Sequence, residues 1–428
     1  MARSYGTQLR AAIAAVLPAE DFRALGRRPR ERWGFYPLAF VWLFGAFSRG
    51  ASLAERFADA RAWLRGLAPR LRLAGTYQGF AKALRRKGGV LGPRLNAAFR
   101  ERLARWLRDD DLVGGWRPLA VDGSRFDCPR SRSCQRAFRR AGRAGSPPQL
   151  ALVTLWHLGA HCWWDGRVAP AVASERELLR GMLGGLPPRA LLVGDAGFAG
   201  YDLCAELSRR GVAFLLRVGA NVELLTRLGA YRREAADTVY LWPRKHRGRG
   251  RPLALRLVTA GARRRRVYLV TNVLSRTALG RKRAADFYRR RWGVETAYRA
   301  VKQTLGRRKL GSRSADLAAL ELAGVFLAGW ALSLLSLFGR GRRALGRAWS
   351  PARAAAALRG FLGRAPARGR SLRRALARSV SAAGRPGRAK TRQRWPHKKH
   401  DPPPGAPRLT PAPRPLARKA QRLTPITA

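Results

Sequence analysis

Three carboxylates stand where phosphate chemistry would need them. Asp122 closes the apolar run "PLAV" and is followed by Gly-Ser. Asp195 closes "ALLVG" and is followed by Ala-Gly-Phe. Carboxylates at the ends of neighbouring buried strands share one crevice. An Asp after a strand also serves as a turn former or helix cap, so neither residue settles its role alone. The third, Glu295, lies in "DFYRRRWGVETAYRAVKQTLG", from Asp286 to Gly306. At about 100° per residue, Tyr288, Arg291, Glu295, Tyr298 and Lys302 fall within an arc of roughly 80°, spread over about 21 Å of helix axis. A solvated face with i,i+4 pairing is the plain reading of such a stripe. The chemical reading is a metal ligand flanked by phosphate-binding groups. Three carboxylates and substrate phosphate oxygens can hold two divalent ions, one activating the attacking water or hydroxyl and the other stabilising the leaving oxygen. Arg and Lys would grip the phosphodiester, and Tyr would hydrogen-bond a phosphate or stack on a base.

The surrounding elements must position these groups. Residues 1 to about 110 carry apolar residues at helical spacing with basic faces, as in "FYPLAFVWLFGAFSRGASLAERFADARAWL". From Arg117 the texture changes to short apolar runs bounded by turn residues, which are strand signals. "PLAVDGS", "QLALVTLWHLGAHCWWDGRVAPAVA", "RALLVGDAGF" and "VAFLLRVG" belong here, with an Arg-rich loop at Arg125 to Pro148 and helices at "SERELLRGMLGGL" and "GYDLCAELSRRG". A β-rich block, "VELLTRL", "TVYLWPRK", "PLALRLVTA" and "RRVYLVTNV", runs from about Asn221 to Val273. The long helix carrying Glu295 then starts near Leu279, and a second helix from Ser314 to about Phe338 reads as buried. Beyond about Pro386 the chain is rich in Pro, Arg and Lys, and its own apolar content is too low to order it.

Lys and Arg number 87 against 25 Asp and Glu, a net charge of +62 over 428 residues. That imbalance calls for a polyanionic partner, of which nucleic acid is the natural one. A genome biased toward Arg accounts for Arg in place of Lys but not for the scarcity of acids. Four scattered cysteines make neither a disulfide framework nor a zinc site, and suit reduced structural thiols in a cytosolic protein. The N-terminal apolar run is short and broken by Arg10, a weak match to a signal peptide. Leu322 to Phe338, seventeen uncharged residues, falls short of a membrane span and suits a core helix better.

Taken together, the motifs resemble the DDE transposases of bacterial insertion sequences, in the branch with a Y-x2-R-x3-E-x6-K signature. Tyr288, Arg291, Glu295 and Lys302 fit that spacing without a gap. "AVDGS" and "LLVGDAGFAGYDL" resemble the two aspartate motifs, and "VYLVTNV" followed by "YRRRWGVE" the strand and helix that bring in the glutamate. The resemblance covers roughly Arg117 to Phe338. It implies an α/β fold: a ribonuclease H-like mixed sheet flanked by helices, with a β-rich insertion; spacing and composition add a helical N-terminal domain and a disordered basic C-terminal tail. The expected division is 1–110 as a helical DNA-binding region, 111–345 as the catalytic domain with its insertion at about 221–273, 346–385 as an Arg-rich helical region and 386–428 as the tail.

The same resemblance implies two Mg²⁺ ions, replaceable by Mn²⁺, held by Asp122, Asp195 and Glu295. Tyr288, Arg291 and Lys302, with Tyr298 on the same face, would contact double-stranded DNA at transposon ends. Cleavage there would be followed by strand transfer into target DNA, by a homodimer in the bacterial cytoplasm. Some members of the branch stack a Trp on a flipped base, and Trp242 is the candidate, a packed hairpin aromatic being its plain reading. Two alternatives stand beside the active transposase: a decayed or co-opted basic DNA-binding protein, and another metal-dependent nuclease of the same fold.

Overall fold

The structure is a computed structural model. It describes residues 5–26, 32–71, 73, 75–139, 145–261, 266–363, 371–379 and 405–427. Helices α1 (Tyr5–Val16), α2 (Phe35–Phe44), α3 (Leu53–Leu67) and α4 (Tyr77–Trp106) come first. Strand β1 (Arg117–Asp127), helix α5 (Arg132–Phe138), strands β2 (Gln149–His157) and β3 (Cys162–Pro170) and the short helix α6 (Glu175–Arg180) follow. Next are β4 (Ala190–Gly194), α7 (Tyr201–Arg209) and β5 (Ala213–Val218), then β6 (Glu223–Thr226), β7 (Thr238–Leu241), β8 (Leu253–Ala260) and β9 (Val267–Thr271). Helices α8 (Arg281–Arg290), α9 (Trp292–Arg299), α10 (Ala315–Arg340), α11 (Pro351–Gly363) and α12 (Leu372–Ala377) precede β10 (Arg408–Pro411) and α13 (Arg414–Gln421). The result is a mixed α/β fold with one large ten-stranded sheet.

The chain divides into two compact units. The first comprises Met1–Asp111, Gly123–Met182 and Gly293–Ser381; the second comprises Leu112–Asp122, Leu183–Trp292 and Ala382–Ala428. In the first unit the capping side chains of Ser52 and Thr76 accept from the Glu55 and Gly79 amides and start α3 and α4. Helix α10 is apolar all round because it is buried all round: fifteen of its residues, from Ala318 to Leu337, are inaccessible. Among the described residues it is the one helix long and apolar enough to cross a membrane, and 83% of its most apolar window is buried within the protein. Strand β3, antiparallel to β2, packs against it, with Asp165 of β3 fully buried and held by Asn96 (2.7 Å), Arg100 (2.8 Å) and Arg167 (2.8 Å). All four cysteines are buried free thiols. Burial pushes Cys128 and Cys162 up to about 12.

In the second unit β1, β4 and β5 run parallel, and β9 joins β5 antiparallel. The remaining strands extend outward as β8, β7 and β6, each antiparallel to its neighbour, as the alternating runs between Asn221 and Val273 predict.

The outermost strand corrects the expectation of a disordered tail. β10 pairs in parallel with β6, from Arg408 opposite Glu223 to Pro411 opposite Thr226. Helix α13 buries Ala420 against Leu225, Leu228, Tyr240, Trp242 and Ala254, with Leu416 and Leu423 packed on the same cluster. The Ala254 amide then donates to the Ile426 carbonyl (3.1 Å), and the Ile426 amide to the Pro252 carbonyl (2.9 Å). The tail's few apolar residues could not order it alone; they find a surface built by strands nearly two hundred residues earlier. The stretch 386–404 of the expected tail lies outside the described residues.

Candidate active site

The two aspartates belong to the second unit, and strand register sets them side by side. Arg117 pairs with Ala190 and Ala120 with Val193, a constant offset of 73 residues. Asp122 and Asp195 keep that same offset, two residues beyond the last pair. Parallel strands lie about 4.8 Å apart and alternate their side chains, so residues at one level share a face. β4 can approach this closely because Gly194 has no side chain: a Cβ there would sit 2.9 Å from Leu216 Cδ2 and 3.0 Å from Val121 Cγ1. The runs "PLAV" and "ALLVG" are buried, and both aspartates emerge half-buried where the apolar core stops.

Local hydrogen bonds hold Asp195 in place. Its Oδ1 accepts from the Gly197 amide (2.9 Å), and its carbonyl accepts from the Phe198 amide (3.3 Å). The turn-forming reading of this residue is therefore realised, and it orients the carboxylate. In the first unit, Gly123 is required for a different reason. An ideal Cβ there would lie 2.4 Å from Glu175 Oε1, so the Gly of "VDGS" makes room for a carboxylate.

The segment around Glu295 departs from the single helical face read from the sequence. Helix α8 ends at Arg290. Arg291 keeps helical angles and donates its amide to Phe287 O (3.1 Å), and α9 follows. After Arg299 the backbone opens into a π turn over Ala300–Thr304, closed by the Leu305 amide on the Ala300 carbonyl (2.9 Å). Such wide turns recur inside helices near functional residues. Here the wider turn sets Lys302 out of phase with an ideal α-helix through Glu295. Tyr288 and Arg291, in the second unit, are buried, with the Arg291 guanidinium carbon 5.5 Å from the Tyr288 ring centre and 5.9 Å from that of Trp292. Glu295, in the first unit, is half-buried. Lys302 Nζ stands 4.9 Å from the ring centre of Phe126, on the same β1 strand that carries Asp122.

Two expected DNA contacts are core residues. The Tyr298 hydroxyl donates to Leu152 O (2.9 Å) and bonds Thr154 Oγ1 (2.8 Å), and its ring meets Trp163 edge-on at 5.5 Å. It sits at the margin of the expected arc, where the solvent face gives way to the face packed on β2 and β3. Trp242 is 1% exposed and donates its indole N–H to Gly250 O (3.0 Å), so the packed reading holds and no ring face is open to a base. Sequence reasoning passes over Trp292. It is 60% exposed, three residues before Glu295; a large aromatic between two motif positions is the available signal.

Asp122 and Asp195 both lie in the second unit, just past the paired stretch of β1 and β4, and Glu295 lies in the first. Among the described residues no three His, Cys, Asp or Glu side chains are grouped to hold a metal ion. The level pair of aspartates offers hard oxygen donors of the kind Mg²⁺ takes, and in that respect the donor set fits the ion.

Residues 114–330, just over half of the chain, match the family described as "Transposase DDE domain". The chain is 28% identical over 224 residues to the transposase InsG for insertion sequence element IS4 of Escherichia coli (strain K12), covering 49% of this chain and 50% of that protein. It thus spans about half the length of the curated relative it matches. The cryo-EM structure of a piggyBac transposase synaptic complex with hairpin DNA aligns with 91% of this chain and 88% of that one, at 13% identity and a TM-score of 0.43.

Proposed function

From the premise that the chain belongs to the Transposase DDE domain family, we propose that it is an active transposase: it cleaves DNA at the ends of an insertion element and joins those ends to target DNA. One observation carries this reading above the others. The register of β1 and β4 has the same 73-residue offset as the two aspartates, which supports reading them as level neighbours. The reading includes a ribonuclease H-like core, supported by the mixed sheet and by carboxylates at adjacent parallel strand ends.

Asp122, Asp195 and Glu295 would hold the two Mg²⁺ ions. When bound, those ions supply a nucleophile at neutral pH and offset charge on the leaving oxygen. The chain's own residues do the rest. Arg291 and Lys302 bind phosphate oxygens flanking the reacting bond, and Tyr288 fixes the orientation of Arg291 through its ring. Phe126 restrains the Lys302 ammonium. The Gly197 amide fixes one oxygen of Asp195, so its carboxylate meets substrate without first losing rotational freedom. DNA held by a basic protein is the partner, and a homodimer would hold the two ends together.

Asp195→Asn should leave binding of the element's terminal repeats intact. Cleavage in Mg²⁺ should fall by more than the roughly 100-fold that loss of even an outer-shell metal partner costs. Gel assays of end binding and strand cutting read both quantities. Equal cutting by the variant would remove Asp195 from the site. A wild-type chain that binds DNA of any sequence alike and never cuts would leave the basic DNA-binding protein as the reading.

A further inference from the structure

Tyr298 follows Glu295 by three residues on α9 and is 4% exposed. Its hydroxyl has one proton. That proton goes to the Leu152 carbonyl (2.9 Å), which can only accept, so in the bond to Thr154 Oγ1 (2.8 Å) the threonine donates. Both partners belong to β2. The Tyr298 ring meets Trp163 edge-on at 5.5 Å, and Trp163 meets Trp156 at 5.0 Å and Phe326 at 5.5 Å in the same way. α9 comes close to this aromatic wall at Gly293, where a Cβ would lie 3.1 Å from Trp156 Nε1. Val294, Ala297 and Val301 are buried beside Tyr298. Of these four side chains only the tyrosine carries a polar atom, so it alone can make a directed bond.

A helix whose side chains end about 5–6 Å from its axis carries them about 2 Å sideways for each 20° or so of rotation. A misplacement of about 1 Å can cost a reaction about 100-fold in rate. Apolar packing resists such a rotation weakly because it has no direction, whereas a pair of hydrogen bonds fixes an angle. Glu295 and Tyr298 share the eight residues of α9 and turn together. The π turn begins just beyond them, at Ala300, so the rotation held by Tyr298 is also the one from which Lys302 starts. We propose that Tyr298 is a positioning residue: its hydroxyl, locked to Leu152 and Thr154, sets the rotation of α9 and thereby the direction of the Glu295 carboxylate. The proposal rests on the transposase reading for the work that Glu295 does.

The test uses the full chain and DNA carrying the element's ends. Tyr298→Phe keeps the ring and removes both hydrogen bonds. Its single-turnover cutting rate in Mg²⁺ should fall at least about tenfold, while its affinity for the ends stays within about twofold. Hydrogen exchange over residues 292–306 should quicken by about tenfold, as the loss of ordinary hydrogen bonds implies. Thr154→Val, which leaves the bond to Leu152, should show the same changes more weakly. Tyr240→Phe is the control. It takes comparable bonds, to Glu234 and the Tyr231 amide (3.1 Å each), from a buried phenol of the second unit, and should alter neither the rate nor exchange over 292–306. If Tyr298→Phe cuts as fast as the wild type, or its exchange over 292–306 is unchanged, the proposal is overturned. If Tyr298→Phe does not fold, Thr154→Val decides by the same two readings. A wild-type chain that never cuts sinks the transposase reading and this role with it. A wild type that cuts, beside an equally fast Tyr298→Phe, sinks the positioning role alone.

Discussion

β4 and β10 belong to the same sheet of the second unit and are held there for opposite reasons. Every residue of β4 is buried, and it has a parallel partner on each side. Every residue of β10 is exposed, and its partner is the single strand β6. β4 forms because its own side chains are apolar. β10 forms because its backbone finishes an otherwise open edge, and because α13, just after it, covers an apolar cluster. An uncovered edge is a template for unwanted pairing, so a short, exposed strand laid over it also protects the fold.

The contrast can be broken at three strengths. Leu192→Ala removes a fully buried side chain from β4 and should cost about 2–5 kcal/mol, read from denaturant unfolding. Ending the chain at residue 404 removes β10 and α13, uncovers Leu225, Tyr240 and Trp242, and should cost roughly 1.5–3 kcal/mol, the worth of one buried leucine. Self-association in size-exclusion chromatography should accompany it. A shortened chain as stable and monodisperse as the full one would show that the edge needs no cover. Leu409→Ala, in β10 itself and 50% exposed, should stay within about 0.5 kcal/mol. A larger loss would mean that β10 is held by side chains after all.

The same distinction explains what is legible in the sequence. "PLAV", "ALLVG" and the run that becomes α10 carry their structural signal in their own residues, and they form where expected. The two aspartates are visible as strand ends. That they stand level depends on register, which pairing decides and no local pattern reveals. The π turn at Ala300–Thr304 is invisible for a related reason. Helical spacing continues through it, while Tyr298 is drawn onto Leu152 and Thr154 by hydrogen bonds to a strand about 145 residues earlier. Trp242 and the C-terminal segment answer each other: the indole is buried partly because Ala420 and Leu416 cover its cluster. Arg307 does not stand out among 87 basic residues, because what distinguishes it is its burial.

The sealed cysteines have a consequence for how this protein meets its surroundings. A thiolate attacks oxidants and alkylating agents, whereas a thiol does so poorly. Burial pushes Cys128 and Cys162 up to about 12, and Cys134 and Cys204 are buried as well, so the folded chain presents little thiolate from Cys128 or Cys162 and no exposed thiol among the four to an oxidant or alkylating agent.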